Sequence, residues 1–238
     1  MMTYRRYPMK GIANFRDLGG YFCKDGVTKW GVFFRSTSLY KATEEDVAIM
    51  GQIGISRILD LRYPQERKEM PDVPLKGADW LGISLLGTLS VEELEVNDKE
   101  EDTRTLINMY RQIIAASRTE IKDSVKALIH ARGPALFHCA AGKDRTGILS
   151  MLLLGAVGVS KEDIIADYEM SHHYISSFTS DISGSHGSNM HKLLDEIVEQ
   201  WGSVTGFLLE CGISQEDLSN LNEKFVMPCD FAGINANV

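Results

Sequence analysis

Short apolar runs bounded by glycine, proline and aspartate interrupt stretches whose apolar residues recur every three or four positions. The first kind predicts strands and the second amphipathic helices. Near the start, "YFCKDGVTKW" places Asp25-Gly26 between apolar flanks, the signature of a hairpin turn, and "GVFFRS" follows as another short strand. Thr43 with Asp46 forms a capping box that opens a helix through "EEDVAIMGQIG". Gly54 then releases the chain into "ISRILDLR", a buried strand closing on Asp60, Leu61 and Arg62. "DWLGISLL" reads as a further strand.

Beyond it, "SVEELEVNDKEEDTR" is acidic and polar, the pattern of a surface helix or lid. "TLINMYRQIIAAS" and "TEIKDSVKALIHA" return to helical spacing. Gly133-Pro134 turns the chain into the strand "ALFHC", a short loop follows, and a helix begins near Thr146. That helix is apolar all round, so its place is central and buried. Ser160 with Asp163 caps another helix, with Ile164, Ile165, Tyr168 and Ile175 as its inward side. Residues 176–187 read as a mobile loop, and two helices near 188–210 and 214–225 close the chain.

Strands interleaved with helices predict an α/β fold with a mainly parallel central sheet flanked by helices. No repeat, low-complexity tract or long linker interrupts it, so residues 1–238 are expected to form a single domain. In such sheets ligands sit beyond the carboxyl ends of the strands. Cys139 and Asp60 both fall at such ends.

Composition narrows the chemistry by exclusion. A net charge of -8 argues against general binding to nucleic acid or to an acidic membrane surface, while leaving room for a local basic pocket. The longest apolar run, "ILSMLLLGAVGV", is well short of the ~20 residues that span a bilayer, so no stable membrane insertion is expected. The four cysteines, Cys23, Cys139, Cys211 and Cys229, have neither the spacing of a disulfide framework nor that of a zinc site. A reducing cytoplasm is the expected compartment. Adjacent His172 and His173 point about 100° apart on a helix and suggest no metal.

The chemistry concentrates in "HCAAGKDRTG", His138 to Gly147. A loop between a buried strand and a helix, turned by Gly142, can converge its amides into a nest that attracts an anion. The positive end of the following helix strengthens the field. Cys139 opens the loop, so its sulfur lies in a field that favours the thiolate. Arg145, permanently charged and forked, can grip two oxygens of a tetrahedral anion. A thiolate facing such a site predicts phosphoryl transfer to sulfur, with a carboxyl group protonating the leaving oxygen. Thr146 can steady the departing thiolate, and His138 is expected to buttress the loop by hydrogen bonds. A nucleotide-binding P-loop is excluded: it needs glycine at 137 and Ser/Thr after the lysine, where Phe137 and Asp144 stand.

The loop resembles the active site of the cysteine-dependent protein tyrosine phosphatase superfamily. With "NFRDLGGY", "WGVFFRS", "LDLR" followed by Glu66, "VSKEDIIADYEMS" and "CGISQEDLSNL", the resemblance extends over residues 11–226 and narrows to the microbial atypical tyrosine phosphatases. Members of that family can also act on phosphoinositides. The resemblance implies a tyrosine-phosphatase-like fold with a helical lid or insert, and phosphomonoester hydrolysis through a phosphocysteine with no metal or other cofactor. It implies Cys139 as nucleophile, Arg145 as phosphate clamp and Asp60 as general acid. Residues Ala140, Ala141, Gly142, Lys143, Asp144 and Thr146 would surround the phosphate of a phosphorylated protein or phosphoinositide. A Trp-Pro-Asp acid loop is missing, which leaves Asp72, Asp98 and Asp102 as rivals to Asp60. Asn14, Arg16 and Asp17 are expected to pin a turn, and Arg35 and Arg62 to form salt bridges. Two other readings stand beside the phosphatase: a rhodanese-like sulfurtransferase and a catalytically inert phosphate-binding module.

Overall fold

Side chains alternate between the two faces of each central strand, and this alternation organises the protein. In this computed structural model, residues 5–86, 103–175 and 186–229 are described. The early apolar runs form β1 (Arg16–Asp17), the hairpin β2 (Phe22–Cys23) and β3 (Gly26–Thr28), and β4 (Phe33–Ser36). Helix α1 (Glu44–Ile53) starts on the Thr43–Asp46 capping box and ends at Gly54, whose φ is 81°. Strand β5 (Arg57–Asp60), helix α2 (Pro64–Glu69) and strand β6 (Asp79–Gly82) follow. Next come α3 (Thr103–Ala116), α4 (Arg118–Ile129) and strand β7 (Ala135–His138). The central helix α5 (Asp144–Ala156) leads to α6 (Lys161–Ile175), α7 (Gly187–Trp201), α8 (Val204–Glu210), α9 (Gln215–Phe225) and β8 (Val226–Pro228).

The main sheet has the order β1-β4-β7-β5-β6, with β4, β7, β5 and β6 parallel and β1 antiparallel at one edge. Helices cover both faces, as parallel sheets require. Phe33, Leu59 and Phe137 point into a core shared with Ile148–Leu154 of α5 and with Cys139. Phe34, Ile58 and Leu136, each one residue over, point into a second core with Phe15, Leu39 and Met50. Parallel register brings Ser36, His138 and Asp60 level at the carboxyl edge of the sheet. The loop after His138 leaves from that edge.

Three features depart from the sequence reading. Strand β8 joins the β2–β3 hairpin in a separate three-stranded antiparallel sheet. Helix α2 is too short to show a periodicity, yet Pro64 stands at its start and the Glu66 carboxylate accepts the Tyr63 amide at 3.0 Å. The expected helix near 188–210 is two helices: Gly202 turns with φ 75°, and Ser203 caps α8 by accepting the Gly206 amide. Most of the acidic stretch expected as a surface helix or lid, and residues 176–185 of the expected mobile loop, lie outside the described residues. Among the described residues no helix is long and apolar enough to cross a membrane.

Candidate active site

The loop from Cys139 to Lys143 is shaped from outside, by groups that take hold of its carbonyl oxygens. The Ala140 carbonyl accepts the Ser38 amide at 3.0 Å. The Gly142 carbonyl accepts both Asn14 Nδ2 and an Arg35 Nη2 hydrogen, each at 2.8 Å. His138 Nδ1 lies 3.1 Å from the Cys139 carbonyl, and the Lys143 carbonyl accepts the Gly147 amide at 2.7 Å. In a planar trans peptide each N–H points opposite to the preceding C=O. Carbonyls held outward therefore direct the amides of Ala140, Ala141, Lys143 and Asp144 toward the inside of the loop, which makes the expected nest. Gly142 is required at its bend: φ is 65°, and a Cβ there would stand 2.2 Å from the Ser36 carbonyl oxygen.

Behind the loop, one carboxylate organises two arginines. Asp167 of α6 accepts Arg16 Nε at 2.9 Å and Arg35 Nη1 at 2.6 Å, and Tyr21 Oη donates to it at 3.1 Å. All of these groups are buried. Burial alone would favour protonated Asp167, but the two guanidinium charges outweigh it and hold the group at about 2. Arg35, desolvated and beside Arg16, is pushed down to about 10. Asn14, at φ 57°, is itself held by an Arg16 hydrogen bond to its side-chain oxygen. Thus "NFRDLGGY" does more than pin its own turn. Asp17 pins the turn, accepting the Gly19 and Gly31 amides at 2.7 Å each, while Asn14 and Arg16 brace the loop.

A second buried cluster lies on the opposite face of the sheet. Asp60 and His138 are register partners on the Ile58–Leu136 side, whereas Cys139 clusters with Phe137 and Leu59. Asp60 is 0% exposed, and its two oxygens meet Arg62 Nε and Nη2 at 2.7–3.1 Å. Arg62 also reaches Asp72 Oδ1 at 2.9 Å, and His138 Nε2 lies 3.0 Å from Asp72 Oδ2. Burial opposes ionisation of Asp72, but His138 and Arg62 prevail and lower its pKa. Asp60, Asp72 and His138 could bring three ligand atoms within 4.8 Å of one another. Arg62 pairs with both carboxylates, so Asp60 and Asp72 are already engaged in an ion-paired cluster. Of the other candidate acids, Asp98 lies outside the described residues, as does Asp102.

On the loop's own side, Cys139 is 2% exposed and Thr146 Oγ1 is buried with no hydrogen-bond partner among the described residues. Arg145 forms a bidentate pair with Glu66, Nη1 to Oε2 at 2.6 Å and Nη2 to Oε1 at 2.9 Å. Burial disfavours the guanidinium charge, yet Glu66 and the charge at Cys139 raise its pKa. Asp144, half-exposed at the first turn of α5, accepts a hydrogen bond from Tyr110 Oη. Lys143 is buried.

The structure thus holds the Cys139–Lys143 loop by its carbonyls and sets Asp60 in the Arg62–Asp72–His138 cluster on the Ile58–Leu136 side. Glu66, named in the resemblance but given no role there, aligns Arg145; residues the sequence did not single out are Asp167, which orders the bracing arginines, and Tyr110. Both acids stand inside stretches quoted for the family resemblance. Their roles emerge only from contacts 79 and 151 positions apart.

Comparison with known proteins bears on the family. A family model described as the tyrosine phosphatase family matches residues 7–227. A tyrosine-protein phosphatase of Nostoc commune is 28% identical, over 84% of this chain and 76% of its own. The triple specificity protein phosphatase PtpB of Mycobacterium tuberculosis is 25% identical, over 92% of this chain and 98% of its own. Among solved structures, P. aeruginosa TpbA is similar at 17% identity and a TM-score of 0.39, over 76% of this chain and 87% of its own. With the family match running over residues 7–227, the Cys139 loop included, the chain belongs to the tyrosine phosphatase family.

Proposed function

We propose that this tyrosine phosphatase works through Cys139, Arg145 and Asp144, with Asp144 taking the acid role that the resemblance implies for Asp60. The observation that carries the reading is the outward capture of the loop carbonyls, which supports amides turned toward the inside of the loop that Cys139 opens. The Cys139 thiolate attacks phosphorus in line, an S–P bond forms and the ester P–O bond breaks. Inward amides and the Arg145 fork hold the equatorial oxygens as charge develops. The leaving oxygen takes its proton from the Asp144 carboxyl. Water then attacks phosphorus and gives a proton to the Asp144 carboxylate. The S–P bond breaks, inorganic phosphate leaves, and the Thr146 hydroxyl steadies the returning thiolate.

Asp144 is preferred because it is partly exposed at the first turn of α5, directly after the loop, whereas both Asp60 oxygens are committed to Arg62 on the far face of the sheet. Ala140, Ala141, Gly142 and Lys143 complete the phosphate site. Lys143 adds positive charge that suits phosphoinositide headgroups as well as phosphotyrosine proteins. A nucleophile that must stay reduced suits a cytoplasmic setting, and residues 1–238 act as one catalytic domain.

Cys139→Ser should abolish turnover of phosphotyrosine peptides while retaining phosphate or vanadate binding, and an active serine variant rules out the covalent route. For the acid, Asp144→Asn should slow phenyl phosphate far more than 2,4-dinitrophenyl phosphate. The same selectivity in Asp60→Asn, with none in Asp144→Asn, returns the role to Asp60.

A further inference from the structure

We propose that the hydroxyls of Tyr110 and Tyr168 form a relay that positions Asp144 and fixes which of its oxygens carries the catalytic proton. The inference rests on the reading of Asp144 as the general acid. Tyr110 comes from α3 and Tyr168 from α6, and they are 0% and 1% exposed. Their rings meet edge to face, with centroids 6.3 Å apart at 88°. Tyr110 Oη donates to Asp144 Oδ1, and the two phenol oxygens lie 2.5 Å apart.

The proton count sets the direction. Each phenol has one hydrogen. Tyr110 uses its own on Asp144, so the hydrogen between the phenols belongs to Tyr168. The chain therefore runs Tyr168 to Tyr110 to Asp144, and every hydroxyl in it is satisfied. Burial, followed by the nearby Asp144 charge, raises the pKa of both phenols, so both remain donors.

With Oδ1 occupied by a donated hydrogen, a proton on the carboxyl group resides on Oδ2. The relay thereby presents one oxygen as the acid and denies the carboxyl group free rotation. Packing alone does not call for these hydroxyls, since phenylalanine fills nearly the same space without a polar group to desolvate. Gly147 completes the arrangement: a Cβ there would lie 2.9 Å from Tyr168 Cδ2, so glycine lets the ring close on α5 three residues after Asp144.

The test compares kcat/KM, which reports on P–O cleavage, for phenyl phosphate and 2,4-dinitrophenyl phosphate in the full chain. Tyr110→Phe should lose roughly tenfold on phenyl phosphate, part of the ~10²–10⁴ that a positioned acid contributes, and little on the dinitrophenyl ester. Tyr168→Phe should show the same selectivity at about threefold, because it acts through Tyr110. The double variant Tyr110→Phe/Asp144→Asn should match Asp144→Asn alone, since both changes disable one device. If Tyr110→Phe and Tyr168→Phe slow both esters equally, or their losses add in full to that of Asp144→Asn, the tyrosines are structural and the relay is overturned. An Asp144→Asn enzyme that slows both esters alike overturns the acid assignment and the relay together. A leaving-group effect in Asp144→Asn but in neither tyrosine variant overturns the relay alone.

Discussion

Glu66 and Arg145 face each other through two contacts of 2.6 and 2.9 Å, a carboxylate from α2 gripping the guanidinium that follows the nucleophile loop. The pair occupies one edge of the Arg145 fork and leaves its remaining N–H groups to a bound phosphate. Arg145 also stands 5.9 Å above the Tyr63 ring, so its plane is set from two sides. Glu66→Gln keeps the size but weakens the clasp. It should lower kcat/KM by about tenfold to a hundredfold, the scale of a small misplacement of a reacting group. Steady-state kinetics with a phosphotyrosine peptide would show it, and unchanged kinetics would reduce Glu66 to a surface-grade ion pair.

Gly142 and the Ser36 carbonyl approach so closely that no side chain fits between them. Gly142→Ala must either open the loop or push β4, and in both cases the Arg35 and Asn14 bonds to the Gly142 carbonyl loosen. The expected outcome is loss of vanadate binding and at least a hundredfold loss of turnover, with far-UV circular dichroism preserved because the helices pack elsewhere. A variant that still binds vanadate at wild-type affinity contradicts the claim that this bend shapes the nest.

The β2–β3 hairpin, strands β4 to β7, the α1 capping box, the buried α5 and the Cys139 loop are legible in the sequence because each is dictated by neighbours within a few positions. Thr43 needs only Asp46, and the turn at Gly142 needs only its own backbone freedom. The acid is different. "LDLR" places Asp60 at a strand end beside the loop, and one-dimensional reasoning cannot say which face it takes. The register Asp60↔His138 sets it on the Ile58–Leu136 side, where Arg62 pairs with both of its oxygens, which is why we prefer Asp144. The roles of Glu66, Tyr110 and Asp167 are illegible for a related reason. Their partners come from distant elements, and an isolated Glu, Tyr or Asp on a helix looks the same whether it faces water or a buried guanidinium.

Four free cysteines give the site an internal control. Burial raises the thiol pKa of Cys211 to about 11 and also raises that of Cys23. Neither competes well for an electrophile at neutral pH, because the thiolate is the reactive form. Iodoacetamide followed by peptide mass spectrometry should therefore label Cys139 ahead of Cys23 and Cys211. Vanadate or phosphate should protect Cys139 alone. Equal labelling of Cys139 and Cys211, unaffected by vanadate, contradicts an anion nest at that sulfur.

Asp167 and Asp17 should shape the pH dependence of stability in opposite senses. Arg16 and Arg35 overcome burial to hold folded Asp167 at about 2, against an ordinary 3.8. Between those values the unfolded chain binds the extra proton, so stability rises with pH and is lost as pH falls toward 2. Burial raises folded Asp17 from 3.8 to about 6, its two amide contacts notwithstanding. Across that window the folded state binds the extra proton, so Asp17 makes stability decline as pH climbs from about 4 to about 6. Urea midpoints at half-unit pH steps separate the two. Asp17→Asn should remove the decline above pH 4 and spare the acid limb. Asp167→Asn should flatten the acid limb and lower stability at pH 7, since two buried guanidinium groups lose their shared counter-charge. An Asp167→Asn protein as stable as wild type at pH 7 refutes the view that this carboxylate holds the braces of the phosphate loop together.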